Sequence, residues 1–260
     1  MAVVVLDIGG SSSRLAVVRP GQQLQSATVK VTDRASLVRA VRDATSPLDG
    51  VAISLAAFVD SEHGYVRMSR AAPELVGELE ADLTRSLGCP VVVLNDGEAH
   101  AYAASAMPDV EHGTLAISLG TSVGFGLTDR HGCPMIPCSG ENWDLGEWKL
   151  DTRASSPEAW WALGSSGLKE LEQTMGSDRG RAHYGYRLGS FIERLSAVFQ
   201  PRTVVLSGGI ARNHWDAFKA NLRGELEQLP KHFTRPRVMV SPYPEAALIG
   251  AAEAFARRNN

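Results

Sequence analysis

Val3-Val4-Val5-Leu6-Asp7-Ile8-Gly9-Gly10-Ser11-Ser12-Ser13-Arg14-Leu15-Ala16-Val17-Val18 opens the chain with two apolar strands joined by a turn of glycine and serine. Val3 to Ile8 is a β-branched run, the pattern of a strand buried on both faces. Arg14 to Val18 returns as the second strand. Further along, Thr114 to Leu119, Gly120-Thr121-Ser122 and Val123 to Thr128 repeat the arrangement. Two such hairpins, each heading one half of the chain, point to a duplicated α/β unit.

Outward from these hairpins, strands and helices alternate. Further strands are expected at Leu24–Val31, Val51–Leu55, Val91–Leu94, Thr203–Leu206 and Arg237–Val240. A short helix is expected around Leu37, Val38 and Val41. Pro73 is expected to open another, with Leu75, Leu79, Leu83 and Leu87 on one face and Gly88 as its stop. Later helices are expected at Ala99–Ala106, about Pro157–Met175, about Tyr186–Phe199, His214–Leu229 and Glu245–Arg257. The boundary between the halves falls near residues 107–113. This gives an N-terminal lobe of 1–108, completed by the closing helix in 245–260, and a C-terminal lobe of 109–244.

The turns are chemically suggestive. Phosphate oxygens need many donors at close range, and glycine lets backbone N–H groups approach them without an intervening Cβ. Gly9, Gly10, Ser11 and Ser12 in one turn, and Gly120, Thr121 and Ser122 in the other, supply such N–H groups together with hydroxyls. Asp7 ends its strand with a carboxylate suited to holding magnesium through water, and Arg14 is suited to neutralising phosphate. The same residues also make ordinary hairpins; it is their repetition that argues for a shared ligand. No Gly-Lys-Ser/Thr follows either pair of glycines, so neither turn is a P-loop. A third turn, Ser207-Gly208-Gly209, precedes a helix and would allow close approach of an adenosine. Val91-Val92-Val93-Leu94-Asn95-Asp96 ends a buried strand with Asp96, at the end where ligands gather in α/β proteins. Phosphoryl transfer to an alcohol needs a base for the hydroxyl proton, and Asp96 suits that role. It equally suits the cap of the following helix, and position alone leaves both readings open.

Composition narrows the classes. With 260 residues the chain can bury a sizeable core. A net charge of −3 and a pI near 6.2 offer no general attraction to nucleic acid or to anionic membrane. Three cysteines, Cys89, Cys133 and Cys138, are too few for a disulfide framework, so a reducing cytoplasm is the expected setting. The start Met1-Ala2-Val3-Val4 has no secretory pattern, and no apolar run approaches a membrane span.

Taken in order, these motifs resemble the sugar kinases of the ROK and glucokinase group, within the actin–hexokinase–Hsp70 superfamily. Asp7-Ile8-Gly9-Gly10-Ser11-Ser12-Ser13-Arg14 resembles the first phosphate motif, and Gly120-Thr121-Ser122-Val123-Gly124-Phe125-Gly126 the second. Phe58-Val59-Asp60, Gly64-Tyr65-Val66 and Ala72-Pro73-Glu74-Leu75 are similar to the segment before the base. Pro90 to Asp96 resembles the strand ending in Asn-Asp, Ser207-Gly208-Gly209-Ile210 the adenosine motif, and Ala247 to Ala252 the closing helix. The resemblance implies two RNase H-like, actin-like ATPase lobes with a nucleotide cleft between them. It also implies ATP as co-substrate with Mg2+, Asp96 as catalytic base, Asn95 holding a neighbouring substrate hydroxyl, and a sugar-like substrate, with homodimers common among such kinases. Two departures stand out. Asp144-Leu145-Gly146-Glu147 replaces the family's Glu-Ile-Gly-His, and the cysteine-rich zinc motif is missing, so no zinc is expected at His131, Cys133 and Cys138. Glu141, Asp144 and Glu147 become the candidate hydroxyl ligands, with Trp143 and Trp148 beside them. A glucose, aminosugar or cyclitol kinase is the leading expectation. An ATPase that activates a partner protein and a non-catalytic nucleotide-binding protein are the alternatives.

Overall fold

The structure is a computed structural model that describes residues 2–10, 12–137, 142–151, 153 and 155–259. They fall into two compact units. One comprises Met1–Met107, Pro134–Trp143 and Glu245–Asn260, the other Pro108–Cys133 and Asp144–Pro244.

In the first unit β1 (Val3–Ile8) and β2 (Ser13–Val18) pair antiparallel, and β3 (Ser26–Val29) extends the sheet beyond β2. Helix α1 (Arg34–Ala44) starts from a reciprocal cap. The Asp33 carboxylate accepts from Ser36 N at 2.7 Å, and Ser36 Oγ accepts from Asp33 N at 3.0 Å, which satisfies two otherwise orphaned donors. β4 (Gly50–Leu55) runs parallel to β1. β5 (Phe58–Asp60) and β6 (Tyr65–Met68) form a small hairpin that the sequence did not signal, since three and four residues are too few to show a period. Pro73 opens only a 3-10 turn, Pro73–Leu75, and not the expected long helix. Gly77, at φ 113°, breaks the path, and α2 (Leu79–Leu87) begins beyond it. β7 (Val91–Asn95) then lies parallel to β4 and leads into α3 (Asp96–Ser105). The sheet order is β3-β2-β1-β4-β7.

Alternate residues of these strands feed two layers of core. Val4, Leu6 and Ile8 pack with Leu37 and Val41 of α1 and Leu79 and Leu83 of α2. Val3 and Val5 pack on the other face with Ala99 and Tyr102 of α3.

The second unit repeats the plan. β8 (Thr114–Leu119) and β9 (Val123–Thr128) form the antiparallel hairpin. β10 (Pro134–Met135) belongs to the stretch that clusters with the first unit. The helical stretch expected over Pro157–Met175 is two helices, α4 (Ala159–Ala162) and α5 (Ser165–Met175), separated where Gly164 turns extended. α6 (Ser177–Phe199) starts well before Tyr186. Its glycines hid the period, and they serve packing: a Cβ on Gly185 would stand 2.2 Å from the Phe218 carbonyl oxygen. β11 (Thr203–Ser207) passes directly into α7 (Gly208–Leu226), six residues earlier than expected from the apolar pattern, and β12 (Arg237–Val240) follows. Within this unit the strands run β9-β8-β11-β12, with β8, β11 and β12 parallel. The last helix, α8 (Ala246–Asn259), returns to the first unit, where Leu248, Ala251, Ala254 and Phe255 join the core layer of β1 and α3. Among the described residues no helix is long and apolar enough to cross a membrane.

Candidate functional site

The carboxyl ends of β1, β4 and β7 gather a polar group in the first unit. Asp7 lies opposite Arg14 in the antiparallel register and beside Ser54 in the parallel one. That register accounts for both contacts. Arg14 Nη2 donates to Asp7 Oδ2 at 2.7 Å, and Ser54 Oγ donates to Asp7 Oδ1 at 3.3 Å. The turn between β1 and β2 is closed by Gly9 N donating to Ser12 O at 3.1 Å. A Cβ on Gly10 would meet nothing within 4 Å, so the turn has open space at that position. Ser11 lies outside the described residues.

At the end of β7 the division of labour is explicit. Asn95 is buried and caps α3: its Oδ1 accepts from Gly97 N at 2.8 Å and from Glu98 N at 3.4 Å. Its Nδ2 donates to Ala57 O at 2.8 Å, and the Asn95 side chain also interacts with the Asp96 carboxylate, where it favours the ionised form. The helix therefore has its cap without Asp96. One oxygen of Asp96 also accepts from Gly97 N, at 2.9 Å, and the other oxygen is not needed by the cap. Removal from water, and then the neighbouring Asp7 carboxylate, push the Asp96 carboxyl up to about 6. His100 stands one helical turn beyond Asp96 on the same face of α3. Burial pulls its imidazole down to about 4, with Asp7 opposing and Arg14 reinforcing the shift, so the ring is neutral at physiological pH.

In the second unit the ends of β8 and β11 collect small residues. Gly120 N donates to Ser122 O at 3.0 Å across the turn, and Thr121 and Ser122 are exposed. Gly208, at φ 88°, fits only as glycine, because a Cβ there would lie 2.4 Å from the Leu119 carbonyl oxygen. Gly209 faces open space at the start of α7. The start of α5 joins them: Ser165 N donates to Gly120 O at 2.9 Å, and a Cβ on Gly164 would stand 2.6 Å from Thr121 O.

Asp144 and Glu147 flank a 3-10 turn, Leu145–Glu147; both are exposed, while Leu145 is buried beneath them. Glu141 and Cys138 lie outside the described residues. Trp143 donates through Nε1 to Met135 O at 2.8 Å, and Trp148 is largely exposed. Cys133 is exposed and His131 accepts from Arg130 Nε at 2.9 Å; among the described residues no three His, Cys, Asp or Glu side chains gather to hold a metal.

Sequence reading missed Ser54, His100 and the Gly164–Ser165 junction. His100 had a usable signal, its four-residue spacing from Asp96. Ser54 had none, because its place depends on strand register. Gly164-Ser165-Ser166-Gly167 offered a break signal inside an assumed continuous helix.

The family model described as the ROK family matches residues 3–133. A ROK hexokinase structure from Thermus thermophilus is 21% identical, with a TM-score of 0.75 and 100% of both chains covered. A ROK family protein from Streptococcus pneumoniae, in complex with sucrose, is 17% identical with a TM-score of 0.82, covering 100% of this chain and 99% of that one. A ROK family glucokinase from Streptomyces griseus, in complex with glucose and AMPPNP, is 17% identical with a TM-score of 0.78, covering 99% and 100%. No curated protein matches the sequence. The fold of the chain is that of these ROK structures.

Proposed function

This chain belongs to the ROK family, and from that premise we propose that it is an ATP-dependent kinase phosphorylating a hydroxyl of a sugar or sugar-like acceptor. The observation that carries the reading is the release of Asp96 from capping. Asn95 satisfies the first turn of α3, and a carboxylate of raised basicity is left at the strand end beside Asp7. Its chemistry follows from general acid–base catalysis. As the acceptor oxygen attacks the terminal phosphorus of ATP, its proton passes to Asp96. Sugar phosphate and ADP leave, and Asp96 returns the proton to water. Asn95 is proposed to hold a neighbouring hydroxyl, and Asp144 and Glu147 are the proposed acceptors for others.

The turns at Gly9–Ser12 and Gly120–Ser122 are proposed to donate to the phosphates, and Gly208–Gly209 to lie against the adenosine. Magnesium fits the residues present. It takes oxygen ligands, one or two of them carboxylates with phosphates and waters completing the set. Asp7 and Asp96 are near enough for the charge of one to oppose ionisation of the other, an excess that a cation would relieve. Asp7 would hold the ion, which would supply charge neutralisation on the phosphates when bound.

ADP release with magnesium and ATP, across glucose, mannose, aminosugars and cyclitols, tests the reading. One acceptor is expected to raise turnover well above the rate without acceptor. Release that ignores every acceptor would move the assignment to an ATPase, and binding of ATP without consumption to a non-catalytic protein. With the acceptor found, kcat/KM is expected to fall about tenfold per pH unit below pH ~6, the limb of a single base that must be ionised. His100→Gln is expected to keep that limb, since His100 titrates near 4. A limb that disappears in His100→Gln would assign the base to the histidine.

A further inference from the structure

The segment bearing Asp144 and Glu147 has little regular structure to hold it. After the 3-10 turn it forms a two-bond ladder, in which Ala159 N donates to Trp148 O at 2.8 Å and Leu150 N to Pro157 O at 3.0 Å. Asp151 then makes an ion pair with Arg153 and accepts from its backbone N at 2.8 Å, which closes the tip of the loop on itself. The ladder takes Trp148 O and Pro157 O as acceptors, so the carbonyls of Lys149 and Leu150 are left to other donors. Arg194, from the middle of α6, supplies one. Its Nη1 donates to Lys149 O at 2.8 Å and to Leu150 O at 2.6 Å, across 45 and 44 residues of chain. The guanidinium carbon lies 5.8 Å from the centroid of the fully buried Phe191 ring. A half-buried cation stacked on a fixed ring has little freedom, so what it grips is fixed as well. The gripped residues are two and three positions past Glu147. At the other end of the segment Gly146 packs against Trp160 Cβ, 3.3 Å from where its own Cβ would stand.

We infer that Arg194 is a positioning residue for acceptor binding: by holding the carbonyls of Lys149 and Leu150 it fixes where Asp144 and Glu147 present their carboxylates. The inference rests on the kinase reading for its functional half. Its structural half stands on the contacts alone.

The test uses Arg194→Ala and Arg194→Lys in the full chain. A lysine ammonium can reach both carbonyls from one nitrogen, whereas alanine reaches neither. Arg194→Ala is expected to raise KM for the acceptor roughly tenfold, the scale of one charge-assisted hydrogen bond. KM for ATP and kcat are expected to stay within about twofold, and Arg194→Lys to recover most of the loss. Hydrogen exchange is measured in parallel. Arg194→Ala is expected to speed exchange over residues 144–159 and to leave β8, β11 and the rest of α6 unchanged. Unchanged exchange in that segment would overturn the anchoring. Faster exchange with an unaltered acceptor KM, or a rise shared equally with ATP, would overturn the positioning role. If no acceptor stimulates the unmodified enzyme, the kinase reading has failed and the functional half falls with it, while exchange still decides whether Arg194 holds the loop.

Discussion

Asp96→Asn is expected to lose catalysis and gain stability together. A positioned general base contributes about 10²–10⁴-fold to rate, so kcat should fall by that order once the amide can no longer take a proton. Nucleotide binding should persist, because the turns that would meet phosphate are untouched. The stability gain follows from the same burial that makes Asp96 basic. Its carboxyl is pushed from 3.8 up to about 6 in the folded protein, so folding favours the protonated form. The stability from that preference is complete below pH ~4 and is lost as pH rises through about 6. At pH 7 the folded protein carries a strained carboxylate at a cost of roughly 3 kcal/mol, at about 1.4 kcal/mol per pH unit. Asparagine is neutral throughout and should remove that cost, raising the thermal midpoint by several degrees at pH 7 but not at pH 4. Thermal unfolding of both proteins at the two pH values, beside ADP release, reads both effects. A variant that keeps its activity, or is less stable at pH 7, would contradict the base assignment.

Gly250→Ala is expected to be the most damaging small substitution away from that carboxylate. Gly250 of α8 faces the backbone of α3, and a Cβ there would stand 1.7 Å from the Ala99 carbonyl oxygen and 3.1 Å from Ala103 N. Backbone cannot swing aside as a side chain can, so the two helices must part. Overpacking of a tight core typically costs about 1–3 kcal/mol, and a backbone collision belongs at the upper end or above. Parting the helices also disturbs Arg258, which donates to Ser61 O at 2.6 Å and lies 3.5 Å from Glu98 in the first turn of α3. Because Asp96 is the first residue of that helix, kcat and the thermal midpoint should fall together. Gly224→Ala is the control. It meets nothing within 4 Å and lies within α7, where alanine should be neutral or stabilise by up to about 1 kcal/mol. Equal losses in the two variants would contradict the close-packing account.

The parts of this fold that could be read from the chain are those whose burial is complete. Val3–Ile8, Val51–Leu55, Val91–Leu94 and Thr203–Leu206 are mostly apolar because each is covered on both faces, with polar residues such as Asp7 and Ser54 near the carboxyl ends, and they emerged as strands within a residue or two. The β5–β6 hairpin is short and partly exposed, so it left no period. α6 was clipped because Gly180, Gly185 and Gly189 stand where apolar residues would mark a buried face; they are there to let other backbone come near. The polar group at the strand ends was half legible. Asp7, Arg14 and Asp96 stood out by type and by their place after apolar runs. That Arg14 faces Asp7, and that Ser54 reaches it, follow from register, which a single sequence does not carry. The choice of Asn95 over Asp96 as cap was equally hidden, since either residue type caps well.

The return of α8 to the first unit has a consequence for synthesis. Val3, Val5 and Leu94 emerge from the ribosome early, but Leu248, Ala251 and Phe255, which complete their core layer, come only after the whole second unit. At about 5–20 residues per second that interval is on the order of ten seconds. During it one apolar face of the first sheet, and the helix bearing Asp96, await their cover. The second unit, made of Pro108–Cys133 and Asp144–Pro244, has all of its strands and helices in hand by then. Until α8 arrives that apolar surface is uncovered, so the setting of Asp96, the proposed base, is among the last features to be completed.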